Sequence, residues 1–177
     1  VVLAAAAADG VEIARGVCPI QEVGHSGLEA RCNGVESVFA EYGIELDRIT
    51  TSNDVTHNAG VVTDYFTANP ETNAMFLLGP TPAQAFNLYM HEAGRMPRDV
   101  YATTHDTSPE IFEMIQEGYL LQAVDQQAYL QGFDTIMWLY LNSQFALSIG
   151  HDIFTGPGII DQSNVEQVIE LNLAGYR

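Results

Sequence analysis

Two rhythms of apolar residues alternate along the chain. Gly16 to Ile20 reads as a strand, although Pro19 is awkward in a central one. Leu28, Cys32, Val35, Phe39 and Tyr42 then recur at helical spacing and form one face of a helix that ends at Gly43. Ile44, Leu46 and Ile49 alternate with charged residues, as a half-buried strand does. Val55 to Ala68 returns to helical spacing and stops at Asn69-Pro70. Ala74 to Leu78 is a short apolar run, the mark of a buried strand, and Pro82 opens a third helix that Gly94 ends. Val100 to Thr104 predicts a strand. Ser108-Pro109-Glu110 caps the next helix, and Gly118 closes it. Tyr119 to Val124 predicts a strand and Ala128 to Leu147 a long helix. Ile153 to Ile160 is extended but interrupted by Gly156-Pro157-Gly158, and Asp161-Gln162-Ser163 leads into a last helix from Asn164 to Leu173.

Strands that alternate with helices of this length predict an α/β fold, a three-layer parallel sheet with helices on both faces. No internal repeat and no flexible linker interrupts the pattern. The start of the chain, Val1-Val2-Leu3 followed by alanines, admits two readings. It has the small residues of the end of a secretory signal, but it lacks that signal's basic start and most of its apolar region. It reads better as the middle of a helix in a longer chain. No later stretch reaches the ~18 unbroken apolar residues of a membrane span.

Charge narrows the partners. Six basic residues, all arginine, stand against 23 acidic ones, for a formal charge of −17. Nucleic acid and anionic membrane surfaces both call for clustered Lys and Arg, so neither is an expected partner. Cys18 and Cys32 are the two cysteines. Their spacing matches no zinc motif, so no metal site is expected. They can be a redox pair, two buried small residues or a disulfide. A strand and the helix after it bring Cα atoms within the ~4.4–6.8 Å that a disulfide needs.

In open parallel sheets, ligands bind on the loops beyond the strands' carboxyl ends. Here those loops carry Glu22 to Gly27, Thr50 to Asp54 with Asn53, Gly79 to Pro82, His105 to Thr107, and Asp125 to Gln127 with Tyr129 just beyond. Amides, carboxylates and a guanidinium can each take two adjacent hydroxyls, and an aromatic ring can cover an apolar sugar face. The inventory suits a small, neutral, polyhydroxylated ligand better than a phosphate. Taken singly, most of these residues are explained as turn formers and caps. Catalytic signals are weak. Gly24-x-x-Gly27 lacks the rest of a phosphate loop, no G-x-S-x-G elbow exists, and His91-Glu92 lacks the second His of a zinc-protease helix. Neither an enzyme nor a cofactor is expected.

The stretches EVGHSGLEARCNG, HDTSPEIFEMIQEGYLLQAVDQQAYLQGF and TGPGIIDQSNV resemble the sugar-type, ribose-binding-like periplasmic substrate-binding proteins of bacterial ABC importers. That family has two α/β lobes joined by a hinge that close over a sugar. The same fold serves as the effector domain of LacI-type regulators. The resemblance implies that Arg31, Asp106 and Gln126 hold ligand hydroxyls, with His105, Asn53 and Tyr129 as further contacts. It departs from the family at Gly79-Pro80, where a polar Asn-Asp is usual, and at Asn53, near where an aromatic is usual. A furanone-like signal molecule is therefore an alternative to a monosaccharide or polyol. Residues 1–126 would be the second lobe without its start, 127–151 a return to a mostly missing first lobe of about one hundred residues, and 152–177 the hinge strand and closing helix. The helix at 128–147, apolar nearly all round, is expected to pack on that first lobe, on another copy or on the second lobe. The resemblance also implies a periplasmic or exported location and an ABC permease as partner.

Overall fold

All 177 residues are described by the structure, a computed structural model. In chain order the elements are α1 (Val2–Ala8), β1 (Arg15–Ile20), α2 (Ser26–Glu41), β2 (Glu45–Thr50), α3 (Val55–Ala68), β3 (Ala74–Phe76), α4 (Pro80–Glu92), β4 (Tyr101–His105), α5 (Pro109–Glu117), β5 (Leu120–Asp125), α6 (Ala128–Phe145), β6 (Gly158–Ile160) and α7 (Val165–Leu173). The strands form one sheet in the order β2-β1-β3-β4-β5-β6. Strands β1 to β5 pair in parallel, and β6 runs antiparallel on the edge of β5.

Successive strand residues point to opposite faces, so each strand feeds two cores. Val17, Met75 and Ala102 enter a core of 21 buried residues with Val62 and Phe66 of α3, Phe86 of α4, Ile115 of α5 and Val168 of α7. Ala74 and Tyr101 face the other way, onto Val2 and Ala6 of α1 and Phe39 of α2. Gly16 permits that second contact, since a Cβ there would meet the Phe39 ring at 2.5 Å. The alanine-rich start is therefore a helix packed on the sheet. Asp9, just past it, is held by Arg98 and by the Tyr101 hydroxyl at 2.9 Å. No helix is long and apolar enough to cross a membrane.

Local signals in the sequence explain most boundaries. Asp54 and Ser108 cap α3 and α5 by accepting from the N–H groups of His57 and Ile111. Gly118 ends α5 with φ 87°, a left-handed turn that favours glycine. Three boundaries differ from expectation. Helix α4 starts at Pro80, whose missing N–H is an orphan at a first helical position anyway. Strand β3 stops at Phe76, although Leu77 N–H still donates to Thr103. The edge strand is confined to Gly158–Ile160, because Pro157 before it has no N–H to offer.

The long helix departs further. None of its residues is buried, and Phe133, Ile136, Leu139 and Tyr140 are exposed. Packing on the second lobe is ruled out: α1 and α2 cover one face of the sheet and α3, α4, α5 and α7 the other, so no open face remains for α6.

Candidate ligand-binding site

The strand order reverses between β1 and β3, since β1 leads outward to β2 while β3, β4 and β5 continue the other way. Such a switch point leaves a crevice beyond the carboxyl ends of the strands. An open cavity of about 370 Å³ lies there. Its walls include Gln21 after β1, Arg31 on α2, Gly79 after β3, Asp106 after β4 and Gln126 after β5.

Arg31 is the notable charge. Arg15, Arg48, Arg98 and Arg177 all form ion pairs with carboxylates, in a chain where acids outnumber bases almost four to one. Arg31 and Arg95 have no carboxylate partner, and of the two only Arg31 lines the cavity. Its Nη1 donates to the Leu78 carbonyl at 3.0 Å, and its remaining donors have no partner in the protein. A disulfide between Cys18 of β1 and Cys32 of α2, Cα atoms 6.0 Å apart, fixes the helix beside it to the end of the strand. Of the three readings open for these cysteines, the bridged one holds.

Asp106 turns into the cavity because its backbone is left-handed, φ 63°, a conformation that Asp tolerates better than most residues. Its Oδ1 accepts from Gln126 Nε2 at 2.6 Å, and no protein donor occupies Oδ2. The backbone of Gln126 is itself pinned, its carbonyl accepting from Gln131 and from Thr155. Arg31, Asp106 and Gln126 thus line one cavity, each with hydrogen-bonding capacity to spare.

The other candidates are placed differently. His105 does not line the cavity. Its Nδ1 lies 3.2 Å from the Leu77 carbonyl, and burial pushes its pKa below the ordinary value; Arg31 nearby pushes the same way, while Leu77 and Asp106 oppose. Asn53 stands at the margin, where Nδ2 donates to Glu22 of the cavity wall at 3.1 Å. Tyr129 borders a separate cavity of about 330 Å³, with Gln127, Tyr176 and Arg177, and packs edge-on against Tyr176. Asp125, buried beneath that second cavity, binds Arg177 at 2.8 Å. His25 is a cap, Nδ1 accepting from Leu28 N–H.

Gln21 was not singled out by the sequence. It stands one residue past β1, ahead of the loop that drew attention, and only the strand order reveals that this position opens on the crevice.

Residues 4–145 match the family described as periplasmic binding protein domain. A xylose/arabinose-binding protein, XylF, of Sulfolobus acidocaldarius is 29% identical over 149 residues, covering 81% of this chain and 37% of that protein. A carbohydrate transporter of Acidothermus cellulolyticus 11B, solved with myo-inositol, superposes with a TM-score of 0.83 at 26% identity, covering 98% of this chain and 59% of that one. A solute-binding protein of Agrobacterium radiobacter, solved with D-arabinose, superposes with a TM-score of 0.78, covering 96% and 58%; at 22% identity it speaks to the fold alone. The chain therefore spans only about a third to three-fifths of the length of these relatives. The mainly parallel sheet, the crevice at its switch point and the matched span agree, and the chain belongs to the periplasmic binding protein domain family.

Proposed function

We propose that this chain supplies one wall of the interlobe cleft in the sugar-binding component of an ABC-type uptake system, which holds a neutral monosaccharide or polyol without chemistry. The observation that carries the reading is Arg31: a guanidinium free of any carboxylate, aimed with Asp106 and Gln126 at one cavity. A carboxylate beside a guanidinium is a poor site for an anion and a good one for hydroxyls, which donate a hydrogen bond to Asp106 and accept one from Arg31. The relatives named for xylose and arabinose, or solved with myo-inositol, belong to the same ligand class. In this reading Asn53 acts through Glu22, His105 supports the wall from behind, and Tyr129 reaches the ligand only from a facing lobe or after hinge movement.

Half a cleft binds weakly, because a two-lobed site gains by closing over its ligand and excluding water. The exposed apolar residues of α6 fit a first lobe against which that helix packs. The disulfide favours an exported protein over a cytosolic LacI-type regulator, since cytosolic thiols stay reduced. An ABC permease is the partner that the reading implies.

The test is calorimetric titration of the full-length protein with D-xylose, D-arabinose, D-ribose and myo-inositol. One of them should bind with a Kd of micromolar or tighter, and Arg31→Met should weaken it by about ten- to a hundredfold, the scale of losing a charged hydrogen-bonding partner. No binding by any of the four, with binding of a furanone instead, would overturn the sugar reading.

A further inference from the structure

Burial changes abruptly at two places in the sheet. Asp125, the last residue of β5, and Ile160, the last of β6, are buried, and none of residues 126–159 between them is. That excursion, α6 included, leaves and rejoins the sheet at one point. Asp125 pairs with Gly158 in the antiparallel register, and Thr155 Oγ1 donates to the Gln126 carbonyl at 2.9 Å. A glycine lets the two crossings lie this close, since a Cβ on Gly156 would meet the Asp125 carbonyl at 3.1 Å. Two adjacent segments that join one body to another are the geometry of a hinge.

A third segment reaches the same point. Past α7, Arg177 lies against Gly158, whose Cβ, if it had one, would stand 3.3 Å from Arg177 Nη2. Arg177 Nε and Nη2 donate to Asp125 Oδ2 at 3.2 and 2.8 Å. The other oxygen, Oδ1, accepts from Gln127 N–H at 2.7 Å. Gln127 is left-handed, φ 59°, which a residue with a Cβ adopts only at a cost. One buried carboxylate therefore ties Arg177 to the turn and holds the turn in its unfavoured conformation. Asn172 of α7 fixes Arg177 in its place, Nδ2 donating to the Arg177 carbonyl at 2.6 Å. Tyr176 adds an edge-on contact to Tyr129 at the start of α6.

We infer that Asp125 and Arg177 form a hinge clasp, which limits the angles at which residues 126–159 leave the lobe and so sets the resting opening of the cleft. The inference rests on the two-lobed, sugar-binding reading and deepens it. Arg177 does not line the candidate sugar cavity. It is a positioning residue that acts through Asp125 and the turn at Gln127. With the clasp intact, few angles are populated and much of the free protein is ready to close. With it broken, the turn relaxes, more angles are populated, and apparent affinity falls in proportion to the competent fraction.

The experiment uses the full-length protein with one spin label at Asp64→Cys on the exposed side of α3 and one on the surface of the first lobe. It reads the interlobe distances with and without the tightest ligand among D-ribose, D-xylose, D-arabinose and myo-inositol, beside the affinity. Arg177→Met should broaden the distances of the unliganded protein and weaken binding about three- to tenfold. Asp125→Asn, which keeps an acceptor for Gln127 but removes the charge, should act in the same direction. The double variant should be no worse than Arg177→Met alone, as for two ends of one contact. Arg177→Lys should restore part of the loss. Ile115→Ala, which lowers stability from the core, should change neither distances nor affinity.

Distances unchanged and affinity within twofold of wild type for Arg177→Met, with sugar-driven closure present in wild type, would overturn the clasp and leave the sugar reading intact. Weaker binding at unchanged distances would also overturn it, by placing the effect on Gln126 alone, and so would additive losses in the double variant. A wild-type protein whose interlobe distance responds to none of the four ligands overturns both.

Discussion

Helices α5 and α6 are both apolar, and their fates are opposite. Helix α5 is apolar along one stripe and buries Ile111, Phe112, Met114 and Ile115 against the sheet and its neighbours. Helix α6 is richer in large apolar residues, with Tyr129, Phe133, Ile136, Trp138, Leu139 and Tyr140, and buries none of them. A stripe names its partner, because the apolar side must face the sheet that the same chain supplies. A helix apolar all round says only that it is surrounded. In this chain both faces of the sheet are already taken. Helix α6 therefore presents an apolar surface that nothing else in the fold covers.

Matched truncations break the comparison most directly. Ile115→Ala removes buried volume from the main core and should cost about 2–5 kcal/mol in urea unfolding of the 177-residue chain. Ile136→Ala, at a site 68% exposed, should cost less than about 0.5 kcal/mol in the same chain. The sharper form repeats Ile136→Ala in the full-length protein. If a first lobe covers α6, the cost there rises into the range of a core substitution. An equal and small cost in both would mean that α6 is solvated in the whole protein and that its partner is something else.

Why α5 was legible and the site only partly so follows from the same physics. The bounds of α3, Val55–Ala68, were readable because Asp54 caps one end and Asn69-Pro70 stops the other, all within one stretch of sequence. Asp106 and Gln126 could be reached by counting strand ends along the chain, whereas Arg31, inside α2, was singled out only by the family resemblance. Gln21 was not, since its place on the cavity wall depends on β1 lying beside β3 rather than on anything near it in sequence. Tyr129 was assigned to the ligand by its place after β5, but the left-handed turn at Gln127, φ 59°, swings the start of α6 toward Tyr176 and a different cavity. The exposure of α6 was beyond reach altogether, because an apolar pattern all round a helix does not say which face of the fold it meets.

The disulfide offers a second, smaller contrast, between a wall that is tied and one that is only packed. Cys18–Cys32 closes a loop of 14 residues, for which chain entropy gives about 3 kcal/mol. Cys18→Ala/Cys32→Ala should therefore lower stability by about that amount. Because Arg31 precedes Cys32, it should also weaken sugar binding in the full-length protein, whereas Ile115→Ala, remote from the cavity, should lower stability without that loss. Comparable affinity in the two variants at a temperature where both are folded would show that the bridge stabilises the fold without positioning Arg31.

The smallest effect expected is a pH dependence that separates the cavity wall from the rest of the lobe. Burial holds the pKa of His105 below its ordinary value, with Arg31 adding to the effect and the Leu77 carbonyl and Asp106 working against it. The folded state therefore prefers the neutral ring. The stability that this preference contributes is complete above the ordinary histidine pKa and is lost as pH falls through the lower, folded-state value. Asp9 and Glu110, whose pKa values are also lowered, act in the same direction but only at more acidic pH, below the ordinary carboxylate range. Asp9 owes its shift to hydrogen bonds from Arg98 and Tyr101, Glu110 to its own backbone N–H and to Ser108. Urea unfolding of wild type and His105→Gln across the weakly acidic range should thus give curves that converge as pH falls, with the wild type losing more. Protonation of His105 also adds a positive charge beside Arg31, so sugar affinity should fall over the same interval in wild type and stay level in His105→Gln. Parallel curves through that interval would show that His105 titrates alike in the folded and unfolded chain, and that the wall behind the cavity is wetter than its burial implies.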